Sequence, residues 1–526
     1  MGTSRRRTRA RITRREALRL FGIAGASVLL QGGRRAAAAS AAGRPNLLRL
    51  AYDTEPNIMD PALSTFASWE HEREIYSTLV RYGYTKGRYF ELEPDLAASW
   101  TVAPDGRTYT FKLRSDVKFH RGFGPLTSED VKFSFERIMD PATKSPYRSV
   151  LSNVETVAAP DPLTVRIVLR QPQSGFIFFL TEKLGWIVSK KAVEKFGAEF
   201  GTRPETTVGT GPFVLAVWKS RDVIGFERNP EYFVSGFPRL ARAEAHFTPN
   251  PASAKLAFQA GDLDIFPVTP DTYAELAAVG RYTPFQSDTT PPGYYLLNTT
   301  QKPLDDLRVR QAMVHAIDSR RLIAASNNLF TPIHGTIVPP STWGYDGSVP
   351  QYEYDAAKAR ALLAQAGYPN GTPEIECPKH NNAFYPWDDI ITEMWRVVGI
   401  RTKRPLMDDG AIGAKLFAGD GMIISDINAR PPHSDPFFWD KFYSSNIRKP
   451  FYTGIDSQIL AGRTVTTPAL QKTAYGQAQQ KLCHQDAAVV LGVYYRWLYV
   501  AQSYVKNLHD DPGRRIPWAT FWIEGA

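Results

Sequence analysis

The sequence predicts a multi-domain α/β protein, and three observations carry that expectation. Strand-like and helix-like segments alternate along the chain, a pattern that favours several small sheets covered by helices. The composition, 43% hydrophobic with 12% aromatic and 22% charged residues, supplies material for a large core. The 526 residues show no internal repeat and no low-complexity linker after Gly43, so the domains must be joined by short crossings.

The first segment is not part of that fold. Residues 1–43 hold ten arginines and one acid, Glu16, and so carry nine of the chain's ten net positive charges. The remainder is close to neutral, which gives no reason to expect nucleic acid or another polyanion as a partner. An arginine-rich start, an apolar stretch from Leu18 to Leu30 and a small-residue run from Ala36 to Ala42 follow in the order of an export signal. Within it Thr13-Arg14-Arg15-Glu16-Ala17-Leu18-Arg19 resembles the twin-arginine signal, with Ala17 where that motif prefers Phe. Residues 1–42 are therefore expected to be a twin-arginine-type signal peptide, with the mature chain starting near Ala39 to Gly43. No cysteine follows the apolar stretch, so the expected product is a soluble periplasmic protein without a lipid anchor.

Later elements are read from local pattern. Pro104-Asp105-Gly106 is a turn, and the alternation from Arg107 to Leu113 makes the next segment one arm of a hairpin. Thr127 followed by Asp130 is an N-cap with an acid three positions on, opening a helix over Val131 to Met139. Val165 to Leu169 is a β-branched strand, and Val208 to Phe213 brackets a tight turn with Gly209 and Gly211. A long helix is expected from about Leu307 to Ala325, and another from Ala356 to Ala366 with Asp355 as its cap and Gly367 as its stop. Ala487 to Tyr495 is apolar but ended by Arg496, too short to span a membrane and rich enough in Val and Tyr to be a buried strand. Cys377 and Cys483 are the only cysteines; outside the cytoplasm a disulfide between them is chemically allowed, and nothing in the sequence brings them together.

The block Glu93-Pro94-Asp95-Leu96-Ala97-Ala98-Ser99-Trp100, then Pro104 to Arg114, Val117-Lys118-Phe119-His120 and Thr127 to Ser134, resembles the extracellular solute-binding proteins of the peptide, opine and nickel class. Bacterial dipeptide- and oligopeptide-binding proteins exemplify that family. Asn57 to Pro61, Ile75 to Val80, Val208 to Phe213, Asp306 to Ala312 and Tyr354 to Tyr368 extend the likeness over nearly all the mature chain.

The resemblance implies a two-lobed periplasmic binding protein fold with a hinge and an additional third domain. Lobe 1 would be discontinuous, residues 44–72, 203–290 and 498–526; the extra domain would be 73–202 and lobe 2 would be 291–497. It further implies a substrate-binding protein of an ABC importer that captures peptides or peptide-like solutes by hinge closure. The other implied cargoes are an opine, a sugar conjugate or a nickel chelate. The expected partners are the small-molecule or peptide ligand and the membrane permease, with the protein a monomer.

In peptide-binding members a loop of the second lobe carries a carboxylate for the ligand's ammonium group, about three residues before an Asp-Pro step. Here that stretch is Ile424 to Trp439, and Pro432 occupies the spacing. The available acids are Asp426 and Asp435, either of which pairs with a cationic ligand group if buried. Arg430 offers a planar fork for a ligand carboxylate instead. Asn428, His433 and Trp439 belong to the same stretch, while Phe66, Trp69 and Tyr294 are aromatics placed to wall a cleft. A solvated loop charge, or a helix cap in the case of Asp435, and core packing for the aromatics are the competing readings.

No catalytic residue, cofactor or metal is expected. His71-Glu72-Arg73-Glu74-Ile75 begins like a zinc-protease helix but has Ile75 where the second histidine belongs. Ser115 to Lys118 has a serine-to-lysine spacing without its partner motifs, and Gly209-Thr210-Gly211 lacks the third glycine of a dinucleotide loop. The nine histidines are scattered. A periplasmic enzyme, which would need an assembled nucleophile and base or a metal cluster, is the least supported class.

Overall fold

The computed structural model describes residues 45–52, 54–64, 68–83, 91–181, 183–287, 291–381, 385, 387–427, 433–445, 449–509 and 516–526. Three larger sheets organise these residues. A seven-stranded mixed sheet has the spatial order Phe213–Lys219, Val223–Arg228, Arg242–Phe247, Leu47–Tyr52, Ile265–Pro267, Leu498–Gln502, Tyr282–Gln286. Leu47–Tyr52 runs parallel to both its neighbours, and the other pairings are antiparallel. A four-stranded antiparallel sheet joins Thr331–Pro332, Val489–Tyr494, Pro292–Leu297 and Ile423–Ile427. A second four-stranded antiparallel sheet is built from Ala97–Val102, Thr108–Leu113, Thr164–Leu169 and Val154–Asp161.

Local chemistry explains the elements. The hairpin turn forms because Gly106 takes a positive φ of 66° and the Asp105 carboxylate accepts the Arg107 amide at 2.8 Å. Helix Ser128–Met139 starts at Thr127 with the expected capping box, in which the Asp130 side chain accepts the Thr127 amide at 3.0 Å. Gly209 and Gly211 are required by close approach rather than by φ: a Cβ on Gly209 would lie 2.0 Å from the Ile75 carbonyl, which accepts the Gly211 amide at 2.8 Å. Helix Ala356–Gln365 is capped by Asp355, whose carboxylate accepts the Lys358 amide.

One expectation changes and one open question closes. The long helix is two helices, Leu307–His315 and Ser319–Ala325, because Asp318 caps a new start by accepting the Arg320 amide. Cys377 and Cys483 are separate buried thiols rather than a bridge, and burial pushes the Cys483 thiol up to about 12. Among the described residues no helix is long and apolar enough to cross a membrane.

Candidate functional site

The seven-stranded sheet ends where a cavity begins. Leu47–Tyr52, Arg242–Phe247 and Ile265–Pro267 point the same way, and the residues at or just past their carboxyl ends, Tyr52, Thr248, Asn250 and Thr269 among them, line a cavity of about 590 Å³. That edge is where open α/β sheets place ligands, because chain and helix starts converge there. Two helices start at this wall. Asn250 caps Pro251–Ala260 by accepting the Ala252 and Ser253 amides, and Thr269 caps Pro270–Ala278 by accepting the Thr272 amide. Each brings the positive end of its helix dipole to the same side of the cavity.

The facing wall comes from two short parallel ladders. Ile375–Glu376 pairs with Thr402–Lys403 and Lys379–His380 with Leu406–Met407, and residues of the second ladder, Lys379, His380 and Leu406, line the cavity together with Asn381. His380 is held in place: its Nε2 donates to the Ser425 carbonyl at 3.1 Å and its ring lies flat on Tyr385 with centroids 3.5 Å apart. Lys379 reaches Asp389 at 2.6 Å in an exposed pair, which solvent screens to little net strength. Among the described lining residues Lys379 is the one charged side chain besides the titratable His380, and no carboxylate is present.

The residues singled out from sequence fall elsewhere. Asp426 pairs with Lys441 at 2.6 Å and accepts the Tyr294 hydroxyl at 3.1 Å, with Tyr294 fully buried. Asp435 is fully buried, takes Arg463 Nη1 on both oxygens at 3.1 Å and accepts the Tyr475 hydroxyl at 3.1 Å. His433 caps helix Ser434–Phe442 by accepting the Asp435 amide, sits between Trp343 and Phe178, and is lowered to about 4 by burial. Trp439 stacks on Tyr443, and the Arg463 guanidinium stands 3.7 Å from its ring centroid. Trp69 opens helix Trp69–Ile75 and packs against the core. None of these lines the 590 Å³ cavity. Phe66, Asn428 and Arg430 lie outside the described residues.

Sequence reading passed over the two capped helix starts, although Asn250-Pro251 and Thr269-Pro270, each a cap followed by proline after a strand, carried a legible signal. Lys379 to Asn381 carried none, because a two-residue ladder has no period to read.

Residues 91–449 match the model of the bacterial extracellular solute-binding proteins, family 5 Middle. The chain belongs to this family. The glutathione-binding protein GsiB of Escherichia coli strain K12 is 33% identical over 412 residues, which are 76% of this chain and 79% of that protein. Among solved structures, the periplasmic binding protein DppA of Helicobacter pylori in complex with the peptide STSA matches with a TM-score of 0.81 and 26% identity, over 91% of this chain and 98% of that one. MoaA of A. tumefacien R10, in complex with mannopinic acid, gives a TM-score of 0.81 and 25% identity over 91% and 100%. This family 5 solute-binding protein thus has the two-lobed α/β fold of periplasmic binding proteins and is a substrate-binding protein of the ABC-importer class. GsiB is a glutathione-binding protein, and DppA is an ABC transporter-associated periplasmic binding protein. Among the described residues no group of three or more His, Cys, Asp or Glu is placed to hold a metal ion.

Proposed function

We propose that this binding protein captures a peptide or peptide-like small solute in the 590 Å³ cavity between its lobes, closes over it, and presents the closed form to an importer permease. The cavity is the observation that carries the reading. It lies at the carboxyl ends of the parallel strands of the seven-stranded sheet and against the Lys379–His380 ladder, has the volume of a small-molecule site, and combines apolar walls with a few polar groups. Lys379 and the two helix starts favour a ligand carboxylate there. GsiB as a glutathione-binding protein and DppA with a bound peptide agree with a solute of that size and charge.

Within this reading lobe 1 is residues 44–72, 203–290 and 498–526, the inserted domain is 73–202 and lobe 2 is 291–497, with the hinge at the crossings near Pro291 to Gly293 and Trp497. Asp426 and Asp435 act as internal ion-pair partners instead of ligand contacts. Residues 1–42 export the protein through the twin-arginine route, and it works in the periplasm as a monomer.

Native mass spectrometry of the purified protein should reveal a copurified solute with a carboxylate. In calorimetry Lys379→Ala should weaken its binding by about tenfold, the loss of one charge-assisted hydrogen bond. Wild-type affinity in that variant would remove Lys379 from the site. An opine-type conjugate is the second reading, favoured by the hydroxyl and amide groups of Thr248, Thr269, Asn250 and Asn381, which suit a polyol.

A further inference from the structure

A charge and an apolar surface meet on the second wall of the cavity. Leu406 is the register partner of Lys379 in the parallel ladder, so the two side chains leave the ladder on the same face, and both residues line the cavity. Leu406 is 63% exposed, which leaves most of a leucine surface uncovered at the cavity wall. The opposite wall matches it. Pro251 and Ala254 stand about one turn apart on helix Pro251–Ala260, and Pro267 and Val268 continue the apolar lining. Pro251 occupies the start of the helix, where its ring stands in place of an amide hydrogen, so this helix start offers the cavity carbon surface as well as its dipole.

A single exposed leucine on a protein surface is ordinary. A leucine that faces further apolar residues across a cavity is different, because both walls gain when an apolar group fills the gap between them. Lys379 constrains what that group is. A solute held by its carboxylate at this ammonium has the substituent next to the carboxylate alongside Leu406, the neighbour of Lys379 across the ladder. In a peptide that substituent is the C-terminal side chain. Closing the lobes would carry Leu406 toward Pro251 and Ala254 and withdraw the side chain from water on both sides, so the same contact favours the closed form.

We propose that the solute bears an apolar group next to its carboxylate, as a peptide with an apolar C-terminal residue does, and that Leu406 selects it. The inference rests on the cavity being the solute site, with Lys379 holding the carboxylate.

Calorimetry with alanyl-leucine, alanyl-asparagine and alanyl-glycine tests it. Leucine and asparagine side chains are close in shape, so the first two peptides separate polarity from size. Wild-type protein should bind alanyl-leucine about tenfold more tightly than either of the others, the effect of a side chain partly withdrawn from water. Leu406→Ser should shrink that preference to about twofold, and Leu406→Met, which stays apolar, should keep it. Ligand-free melting temperatures report that both variants fold. A change in cavity shape alone would weaken all three peptides in parallel and leave their ratios standing. Equal binding of the three by wild-type protein, or an undiminished preference in Leu406→Ser, overturns the proposal. Lys379→Ala keeps the two readings apart. If it weakens alanyl-leucine while the ratios ignore Leu406, the cavity stands as the solute site and only the selection by Leu406 falls. If it binds alanyl-leucine as tightly as wild type, or if none of the three peptides binds wild-type protein, the inference falls together with the reading on which it rests.

Discussion

In the proposed division of the chain, the inserted domain is held against lobe 1 by ion pairs that cross the junction; against lobe 2, among the described residues, it is held by hydrogen bonds and ring contacts while the ion pair stays on one side. At the first junction Asp60 takes both terminal nitrogens of Arg137 at 2.6 and 2.5 Å. Glu72, fully buried, pairs with Lys183 at 2.7 Å and accepts the Ser64 hydroxyl at 2.6 Å. At the second junction the Ser174 amide donates to the Arg463 carbonyl at 2.9 Å, its hydroxyl donates to the Gly462 carbonyl at 3.1 Å, and Phe178 lies on His433. The buried pair there, Asp435 with Arg463, belongs wholly to lobe 2. Parting the first junction separates buried charges at several kcal/mol per ion, whereas parting the second costs about 1 kcal/mol for each hydrogen bond plus the apolar contact. The inserted domain should therefore travel with lobe 1 when the hinge opens, and the second junction is the one that parts.

The largest expected effect comes from breaking the first junction. Lys183→Met removes the partner of Glu72, whose carboxyl burial already raises and Lys183 brings back down. A buried charge left unpaired should cost about 3–5 kcal/mol in urea unfolding at neutral pH. The deficit should shrink in acid, where protonated Glu72 is no longer a buried charge. A loss below about 1 kcal/mol at neutral pH would show that the pair is not what holds this junction.

These junctions show where sequence stops being informative. Local signals were enough for Thr127 with Asp130, for Asp355 and for the Asp105-Gly106 turn, because a cap or a turn is decided within four residues. The family likeness fixed the fold class, since it spans motifs along the whole chain. Glu72 with Lys183 and Asp435 with Arg463 are 111 and 28 residues apart, and no local period announces such pairs. Asp435 illustrates the consequence: its place before Pro436 suggested either a cap or a ligand contact, and its actual partners, Arg463 and Tyr475, come from two later helices, Asp456–Thr464 and Pro468–Gln479.

The pH response should divide in the same way. His120 sits at the first junction, with Nε2 on the Gly211 carbonyl and Nδ1 accepting the Gly209 amide; burial lowers it to about 4. His433, at the second, is also lowered to about 4, again chiefly by burial. In each case the unfolded chain, titrating near 6.5, binds the proton more readily than the folded one, so stability is complete above about pH 6.5 and falls as pH drops toward 4. Each histidine should contribute up to about 3 kcal/mol to that fall, and His120→Gln or His433→Gln should flatten it. Affinity sharpens the comparison. Opening the second junction frees one face of His433 but none of His120, so acid should weaken ligand binding through His433 alone. A binding-versus-pH curve altered by His120→Gln and not by His433→Gln would reverse the assignment of the mobile junction.

The smallest effect, and the most selective, should come from Gly175. Its φ of −92° is open to any residue, so a side chain adds no backbone strain. A Cβ there would nonetheless lie 2.6 Å from Cβ and Oδ2 of Asp435, across the second junction. Gly175→Val should therefore penalise only the closed arrangement. If the junction parts in the open form, the ligand-free protein keeps its melting temperature, while affinity for the copurified solute falls about tenfold, or about 1.4 kcal/mol of closed-state strain. Small-angle scattering supplies the second reading: wild-type protein should contract on saturation with that solute, and Gly175→Val should need a correspondingly higher solute concentration to contract equally. A lowered melting temperature with unchanged affinity would mean that Asp435 and Gly175 stay in contact in both forms. The second junction would then be as permanent as the first, and the lobes would have to close without moving the inserted domain relative to lobe 2.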